Sequence, residues 1–300
     1  MLKIDIPCVN DNAKDTDTIT SILGLIGDKY SPSESIIGVG NFGSVRECTN
    51  VDTGERCAIK SIRKSNPDLC CIDLGREISM MRKMNHGNIV KLVDIFEDPI
   101  ELHIITSLYT GGDLFDKVER RVSSMPGGCF GEHETAYIIW QVLEAVNYMH
   151  NNNVVHRDLK PENIMFETRE PGSCVKIIDF GLARQHSDEN DPPMNTMAGT
   201  VGFMAPEVIS CSYMNSCDLW SIGVVTYILL CGYLPFGGRD EDEVFRSTLS
   251  GQFCLPRGGW SIEVLDFVCC LLETNPVRRL TADQALQHPW IVDRVDYGIL

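Results

Sequence analysis

The chain has 300 residues, of which 43% are hydrophobic and 23% charged, values that are ordinary for a folded domain and exclude a disordered or fibrous protein. The 26 Lys and Arg residues against 42 Asp and Glu residues give a formal net charge of −16, which argues against a broad nucleic-acid or anionic-membrane footprint. This acidity would attract a basic peptide partner, although acidity for solubility alone explains the same number equally well.

Cysteine usage and hydropathy indicate a cytoplasmic protein, with access to the nucleus left open. The 13 cysteines occur singly or as the neighbours Cys70-Cys71 and Cys269-Cys270, without a CxxC pair or a signal peptide, so we expect reduced thiols. The most apolar run, from Trp220 to Phe236, is too short and too interrupted for a membrane span. Leu2 replaces the glycine that N-myristoylation requires, so no membrane anchor is expected.

The first part of the chain predicts a polar extension followed by a small sheet. Residues 1–30 have only a thin apolar pattern and are predicted to be of low order or to form one short helix. Three strands follow, because SIIGVG, SVRECTN and ERCAIKSIR are rich in β-branched residues and the last two are joined by Asp52-Thr53-Gly54. A helix with Ile78, Met81 and Met84 on one face comes next. The segments HGNIVKLVDIFED and LHIITSLY then complete an antiparallel sheet.

From Phe130 onwards the pattern becomes helical. GEHETAYIIWQVLEAVNYMHNNN has apolar residues spaced for an amphipathic helix of about 18 residues. Residues 167–173 predict a turn between two short strands, residues 184–193 a surface loop, and the sequence after Pro206 helices and loops. The predicted fold class is therefore α+β, with a smaller, mainly antiparallel β part and a larger, mainly helical part.

A glycine-rich segment, IIGVGNFGSV, has GxGxxG spacing, which alone is equally typical of dinucleotide-binding folds. A Rossmann loop opens into a helix, whereas here Ser44 to Cys48 continues as a strand and leads to AIK on the next strand. A Walker A loop is excluded because no Gly-Lys-Ser/Thr closes the pattern. The glycines let the backbone approach phosphates closely. The predicted nucleotide-binding residues of this segment are Ile37, Gly38, Val39, Gly40, Asn41, Phe42, Gly43, Ser44 and Val45.

Lys60 and Glu77 are predicted to act together on a nucleotide. Seen alone, Lys60 could be a solvated strand lysine and Glu77 an exposed helix charge. The place of Lys60 in AIK, 17 residues after Gly43, instead predicts that it contacts the α- and β-phosphates, with Glu77 orienting it through an ion pair.

Two carboxylates, Asp158 and Asp179, stand 21 residues apart in VVHRDLKPENIMF and IIDFG. Asp158 is predicted to accept or orient the proton of an acceptor hydroxyl, and Lys160 to neutralise charge that develops on the transferred phosphoryl group. Asn163 and Asp179 supply the hard oxygen ligands that Mg²⁺ prefers. The predicted cofactors are therefore ATP and Mg²⁺.

HRDLKPEN followed by DFG is a protein-kinase signature pair, and the chain resembles the eukaryotic protein kinases over residues 31–290. The resemblance implies a bilobal fold with lobes at 31–108 and 109–290, a tail at 291–300, and a hinge at LYTGG. It also implies that Ala58, Thr106, Ser107, Tyr109 and Met165 belong to the nucleotide-binding residues.

The resemblance further implies a serine/threonine kinase, because Lys160 follows Asp158 by two positions and Thr200 precedes APE, where it would help to form the hydroxyl-acceptor site. Glu207 and Arg279 match a buried structural ion pair of the family. Asp218 matches the carboxylate that holds the backbone of the catalytic loop, which is HRDLKPEN at residues 156–163.

Within the family, TGGDLFD and NPVRRLTADQALQHPW are most similar to the calcium/calmodulin-dependent and calcium-dependent kinases. Asp113 stands where these kinases carry a glutamate that receives a basic residue upstream of the phosphosite, and Glu162 is a second such acid. A preference for protein substrates with basic motifs is therefore implied, although helix capping is the ordinary role of an aspartate such as Asp113. No EF-hand string occurs and the sequence ends ten residues after Trp290, so calcium or calmodulin-like regulation is not expected within this chain. We expect a monomer.

Thr196 lies four residues before Thr200, where many kinases carry an activating phosphothreonine. Arg157 is a cation that could pair with such a phosphate. The alternative is a plain loop threonine.

Two other functions compete with catalysis of phosphoryl transfer. A pseudokinase scaffold would normally have lost Lys60, Asp158 or Asp179, all of which are present. A nucleotide-dependent metabolic enzyme of another fold is disfavoured by the order of the motifs, from the glycine loop through AIK, HRD and DFG to APE.

Overall fold

The computed structural model describes residues 22–23, 26–40, 43–65, 71–124, 128–186, 191–254 and 259–295. The predicted nucleotide-binding residues Asn41 and Phe42 lie outside these ranges, as does most of the 1–30 extension. The chain divides into two compact units, and we call residues 1–85 with 90–109 the first unit and residues 86–89 with 110–300 the second unit.

The first unit consists of a six-stranded sheet and one helix. Its elements are β1 (Ile22–Leu23), β2 (Tyr30–Gly40), β3 (Gly43–Asn50), β4 (Arg56–Arg63), α1 (Cys71–Lys83), β5 (Leu92–Glu97) and β6 (Glu101–Ser107). The strand order is β1-β5-β6-β4-β3-β2. All neighbouring strands are antiparallel except β1, which runs parallel to β5.

Strand β1 was not predicted from the sequence. Ile22 lies opposite Phe96 and Leu23 opposite Glu97, and a 3₁₀ turn over Ile26–Asp28 connects β1 towards β2. A strand of two residues has no measurable alternation of apolar and polar side chains. Its position therefore depends on pairing with a distant strand, which a local pattern cannot reveal.

One face of this sheet is covered by an apolar cluster, and the other carries the predicted nucleotide-binding side chains of β4. The cluster consists of the buried residues Tyr30, Cys48, Cys57, Ile59, Phe96 and Ile105, with Ile26 packed against it. Successive strand residues point to opposite faces. Because Cys57 and Ile59 belong to the cluster, Ala58 and Lys60 project from the opposite face.

The second unit is mainly helical. Its elements are α2 (Leu114–Ser124), α3 (Glu132–Asn151), β7 (Val154–Val155), β8 (Ile164–Phe166), β9 (Val175–Ile177), β10 (Arg184–Gln185), α4 (Pro206–Ile209), α5 (Ser216–Cys231), α6 (Glu241–Ser250), α7 (Ile262–Leu271), α8 (Ala282–Leu286) and α9 (Pro289–Val292). The strands form two short antiparallel ladders, β7 with β10 and β8 with β9. The composition of the two units confirms the predicted α+β class.

Helices α3 and α5 form the centre of the second unit. The apolar face predicted for α3 is buried, from Ala136 to Met149. Helix α5 is buried on all sides, from Cys217 to Leu230, so the helical part of the most apolar run lies in the protein core. Tyr233 and Leu234, which follow the helix in that run, are exposed. Among the helices within the described ranges, none combines the length and the apolar character needed to cross a membrane.

A single carboxylate, that of Glu132 at the start of α3, joins three distant parts of the second unit. It accepts hydrogen bonds from Ser261 Oγ at 2.6 Å and from Trp290 Nε1 at 3.2 Å, and it pairs with Arg294 Nε at 3.0 Å. Burial alone would raise the pKa of Glu132, but the hydrogen bonds from Ser261 and the charge of Arg294 hold it below its usual range. The carboxylate therefore stays ionised and fixes α7 and α9 on α3.

Candidate active site

The side chains of Asp158, Lys160 and Thr200 converge in the second unit. Lys160 Nζ donates to Thr200 Oγ1 at 2.7 Å, and this hydroxyl donates to Asp158 Oδ1 at 2.7 Å. Lys160 Nζ also lies 3.1 Å from Asp158 Oδ2. Asn163 closes the group, since its Nδ2 donates to the backbone oxygen of Asp158 at 2.8 Å. The arrangement fixes one carboxylate and one ammonium around a hydroxyl.

The backbone of the catalytic loop is held by Asp218, which lies on α5 and is fully buried. Its Oδ2 accepts from the His156 amide at 2.9 Å and its Oδ1 from the Arg157 amide at 2.8 Å. Arg157 has φ of +70°, a left-handed conformation that is unfavourable for a residue with a Cβ. The two hydrogen bonds therefore stabilise a strained loop, which is the role predicted for Asp218 by resemblance.

His150 supports Asp218 from the end of α3. Its Nε2 lies 2.9 Å from Asp218 Oδ2. Burial alone would raise the pKa of Asp218, but hydrogen bonding and charge from His150, followed by the hydrogen bond from the His156 backbone amide, hold it below its ordinary value. The sequence analysis did not identify His150, because a histidine at the end of a helix has no spacing that distinguishes it from a surface residue.

His156 of the HRD motif is itself fully buried and lies edge-on to Phe180, with ring centroids 5.4 Å apart. Its burial lowers its pKa, against the opposing influence of the carboxylates of Asp218, Asp179 and Asp158. His156 Nδ1 accepts from the Asp158 amide at 3.3 Å. The ring is therefore a neutral, apolar-packed support for the loop.

Asn163 and Asp179 are candidate ligands for a cation. The Ile178 amide donates to the Asn163 backbone oxygen at 3.1 Å, which places Asp179, the next residue, beside the strand that follows Asn163. Asp179 Oδ1 accepts from the Gly181 amide at 2.9 Å. Among the described residues, no group of three or more His, Cys, Asp or Glu side chains is arranged to hold a metal ion. These two side chains fit Mg²⁺, which commonly takes one or two protein oxygens and completes its shell with phosphates and water.

A buried ion pair joins Glu207 of α4 to Arg279. Arg279 Nη2 lies 2.9 Å from Glu207 Oε2, and Nη1 contacts the second carboxylate oxygen. The guanidinium also donates to the carbonyl oxygens of Ser216 and Glu273, at 2.8 and 2.9 Å. The side chain of Arg279 is 0% exposed and that of Glu207 is 7% exposed. The pair predicted by resemblance is therefore present, and four of the five guanidinium N–H groups of Arg279 are hydrogen-bonded.

Thr200 and Thr196 both lie in the segment before APE but have different surroundings. Thr200 is held between Asp158 and Lys160, whereas Thr196 is exposed, with its Oγ1 at 3.3 Å from Arg157 Nη1. Between them, Gly199 has φ of +120°, and a Cβ there would lie 2.7 Å from the Arg157 carbonyl oxygen. Only glycine allows the segment to pass this close to the catalytic loop.

The two predicted substrate-binding acids differ in availability. Asp113 Oδ1 accepts from the Asp116 amide at 2.7 Å and thus caps α2, which is the ordinary role for this aspartate. Burial raises the pKa of the Asp113 carboxyl. Glu162 is exposed beside Asn163. Met165, predicted to contact the nucleotide, lies on β8 and forms an antiparallel bridge with Asp113.

In the first unit, Lys60 of β4 and Glu77 of α1 form the ion pair that the sequence predicts. Lys60 Nζ lies 3.0 Å from Glu77 Oε1, and the side chains are 22% and 6% exposed. A lysine held in this way presents a fixed ammonium at the surface of the sheet.

The glycine-rich segment spans the end of β2 and the start of β3, and its glycines have different structural constraints. A Cβ at Gly43 would lie 2.0 Å from the Ser61 carbonyl oxygen of the neighbouring strand, so this glycine is required by the sheet itself. A Cβ at Gly38 would meet Val45 at an ordinary 3.7 Å. Packing in the sheet therefore does not require a glycine at position 38. The remaining described residues of the segment, Ile37, Val39, Gly40, Ser44 and Val45, lie on β2 and β3.

Thr106 and Ser107 end β6, and Thr106 lies opposite Ala58 of β4. The Ser107 amide already donates to the Lys91 carbonyl oxygen at 3.1 Å, so it is not free for a ligand. Tyr109 is buried and its hydroxyl accepts from the Lys91 amide at 3.2 Å. Ala58 and Thr106 are both partly exposed on neighbouring strands.

The family model for the protein kinase domain matches residues 32–291. This range covers both units with their glycine-rich segment, the Lys60–Glu77 pair, and the group around Asp158. The chain belongs to the protein kinase domain family.

Individual relatives narrow the resemblance. Calcium-dependent protein kinase 5 of Plasmodium berghei is 36% identical over 275 residues, which are 90% of this chain and 46% of that protein. Calcium/calmodulin-dependent protein kinase type IV of Rattus norvegicus is 35% identical in an alignment of 310 positions, gaps included, that covers 98% of this chain and 63% of that protein. Calcium-dependent protein kinase 3 of Plasmodium yoelii yoelii is 38% identical over 276 residues, 91% of this chain and 50% of that protein. The chain thus spans between 46% and 63% of the length of these relatives.

Proposed function

We propose that the protein is an ATP-dependent serine/threonine protein kinase that transfers the γ-phosphoryl group to Ser and Thr hydroxyls of proteins. The observation that carries the proposal is the group of Asp158, Lys160 and Thr200, in which a hydroxyl sits 2.7 Å from both a carboxylate oxygen and an ammonium nitrogen. An incoming substrate hydroxyl requires these same two partners, one to take its proton and one to balance the charge of the phosphoryl group.

Each residue has a distinct task in this proposal. Asp158 orients the acceptor hydroxyl and receives its proton, while Lys160 neutralises charge on the moving phosphoryl group. Lys60, oriented by Glu77, holds the α- and β-phosphates. Asn163 and Asp179 would hold Mg²⁺, which neutralises phosphate charge when bound.

The direct test is transfer of the terminal phosphate of ATP to a serine peptide with basic residues, comparing wild type with Asp158→Asn. We expect kcat to fall about 10²- to 10⁴-fold in the variant, because the proton acceptor is lost. Asp116→Asn is the matched control, since Asp116 is a half-exposed carboxylate that pairs with Arg120 on the same helix. Equal transfer by wild type and Asp158→Asn would contradict the proposal. Nucleotide binding without any transfer by wild type would favour the pseudokinase scaffold.

We further propose a preference for basic residues upstream of the phosphosite. Its support is the exposed carboxylate of Glu162 and the net charge of −16. Asp113 contributes less, because its carboxylate is occupied by the α2 cap. A positional peptide library should show the preference in wild type and a weaker one in Glu162→Gln, with Glu170→Gln, an exposed acid in the turn before β9, as the control. A library without any basic preference would refute this specificity.

Phosphorylation of Thr196 and the response to calcium complete the proposal. Thr196 is a candidate phosphosite because its hydroxyl is exposed and adjacent to Arg157.

The relatives are named as calcium- or calmodulin-dependent, but we propose that calcium does not bind to these 300 residues directly, since no EF-hand string occurs in them. Activity should then be equal in calcium and in a calcium chelator. We also propose that the protein is a monomer and that it is cytoplasmic; the ten free thiols within the described ranges support the location. Light scattering checks the monomer.

A further inference from the structure

We propose that Tyr213 is a positioning residue that holds the segment before APE against the catalytic loop without a phosphate on Thr196. This inference rests on the proposed kinase function and concerns the regulation of the same site. Tyr213 lies between α4 and α5, outside every motif that identifies the family, and its ring is 2% exposed.

The Tyr213 hydroxyl connects the segment before APE to the catalytic loop. It donates to the Thr196 carbonyl oxygen at 2.8 Å and accepts from Arg157 Nη1 at 3.1 Å. A phenol has one donor hydrogen, and here that hydrogen and an acceptor lone pair are both used. The hydroxyl is therefore a direct bridge between the segment before APE and the HRD arginine.

The backbone of Tyr213 reinforces this bridge. The Met194 amide donates to the Tyr213 carbonyl oxygen at 2.9 Å, and the Tyr213 amide donates to the Met194 carbonyl oxygen at 3.1 Å. Residues 194 and 196 are thus both held by residue 213. Because the ring is buried, the hydroxyl has a fixed position.

Arg157 is satisfied by neutral oxygens. Besides Tyr213, its guanidinium donates to the Leu182 carbonyl oxygen at 2.6 Å and to Thr196 Oγ1 at 3.3 Å. Within the described part of the chain, no carboxylate forms an ion pair with Arg157. A phosphate is commonly what orders such a segment through an arginine, and here three uncharged acceptors already occupy that arginine.

Two consequences follow for regulation. The unphosphorylated protein already has its segment ordered, so it is active without an upstream kinase. A phosphate on Thr196 would add a charged acceptor for Arg157 to contacts that exist, and so it raises activity only slightly.

The test compares wild type, treated with a phosphatase and shown by intact mass to be unphosphorylated, with Tyr213→Phe. The variant keeps the buried ring and loses only the hydroxyl. We expect kcat for a serine peptide to fall about tenfold, equivalent to about 1.4 kcal/mol, while the KM for ATP stays within twofold. Amide hydrogen exchange across residues 194–198 should become faster in the variant, with exchange in α5 unchanged. Tyr137→Phe is the matched control, because it also removes one hydroxyl that donates to a backbone carbonyl oxygen, that of Gly172 at 3.4 Å.

A kcat within twofold of wild type together with unchanged exchange would overturn the proposal. So would a loss of more than tenfold in wild-type activity on removal of phosphate, a result that decides the matter even if Tyr213→Phe does not fold. If wild type transfers no phosphate to any peptide, the kinase function fails, and the exchange of residues 194–198 still tests the positioning role by itself.

Discussion

The ion pairs of the two units show how the same chemistry is used in two ways. Lys60 and Glu77 in the first unit share one contact of 3.0 Å, and the lysine is 22% exposed. Arg279 and Glu207 in the second unit share two parallel contacts, and the guanidinium also donates to two carbonyl oxygens. The first pair leaves donors of the ammonium available for a ligand, whereas in the second pair four of the five guanidinium N–H groups are already used.

This difference separates a functional ion pair from a structural one. A buried pair offsets the loss of hydration only if nearly all its donors and acceptors are bonded, as they are for Arg279. A partly exposed lysine retains hydration that a phosphate can replace. Substitutions in the second pair should therefore affect folding first, and substitutions in the first pair should affect activity first.

The largest effect is expected for Arg279→Met, which leaves the buried carboxylate of Glu207 without a partner. We expect the free energy of unfolding to fall by about 3 to 5 kcal/mol, measured by urea denaturation. Arg239→Met is the matched control, because Arg239 forms an exposed pair with Glu243 on the surface and should change stability by less than about 1 kcal/mol. Similar losses of unfolding free energy in both variants would contradict the structural role of the Arg279–Glu207 pair.

Lys60→Met should lower activity more than it lowers stability. We expect kcat/KM to fall about 100-fold or more, since one preorganised contact to the phosphates is lost. Unfolding should change by only about 1 to 3 kcal/mol, the cost of leaving Glu77 unpaired. Lys64→Met serves as control, because Lys64 pairs with Glu97 at 2.6 Å in the same unit and has no predicted role in nucleotide binding. Activity lost equally in both variants would show that pairing alone, and not phosphate contact, explains Lys60.

A smaller effect is expected for Asp218→Asn, which tests how much the Asp218 carboxylate contributes to holding the backbone of the catalytic loop. The His156 and Arg157 backbone amides donate to different oxygens of Asp218, and in asparagine one of these positions becomes an NH2 group, which cannot accept from a backbone amide. We expect kcat to fall about tenfold to a hundredfold and the free energy of unfolding to fall by about 1 to 3 kcal/mol. Asp266→Asn is a suitable control, as Asp266 is an exposed carboxylate that also faces a histidine, His288 at 3.2 Å. Normal kcat in Asp218→Asn would mean that the loop holds its strained conformation without this support.

The smallest effect concerns pH and two histidines of the second unit, the buried His156 and the half-buried His86. The pKa of His156 and of His86 is lowered by burial from an ordinary value of 6.5. Below about pH 6.5 the unfolded chain therefore binds protons that the folded protein resists, and stability falls as the pH falls; above that pH these groups contribute no slope. The depressed pKa of Asp218 adds stability that persists above its ordinary value of 3.8 and is lost only below it.

Urea denaturation at pH 7.5, 6.5 and 5.5 measures this dependence, with a slope of at most about 1.4 kcal/mol per pH unit for each histidine. His86→Gln should remove part of the slope and leave the rest, which belongs to His156. Stability that is flat from pH 7.5 to 5.5 would contradict the lowered pKa values.

The sequence predicts those parts of the protein whose chemistry requires a particular residue type at a particular spacing. The Lys60–Glu77 pair and the α+β class follow from motifs and from the change of hydrophobic period. Strand β1 does not, because two residues have no period, and neither does Tyr213, whose role depends on one hydroxyl meeting two distant groups. Asp113 shows the opposite difficulty, since one aspartate fits both a substrate contact and a helix cap. Only the hydrogen bond to Asp116 shows which role the side chain already fills.

The position of Glu132 has a consequence for how the chain is made. Its partner Trp290 lies 158 residues further along the chain, and Arg294 lies beyond that. At the usual rates of protein synthesis this separation corresponds to roughly 8 to 30 s on the ribosome. Until Ser261, Trp290 and Arg294 have all been synthesised, the Glu132 carboxylate lacks some of its partners, and α3 cannot reach its final packing. The residues of the first unit all precede Glu132, so this unit can fold while the chain is still growing. The second unit reaches its final packing only when α9 has emerged.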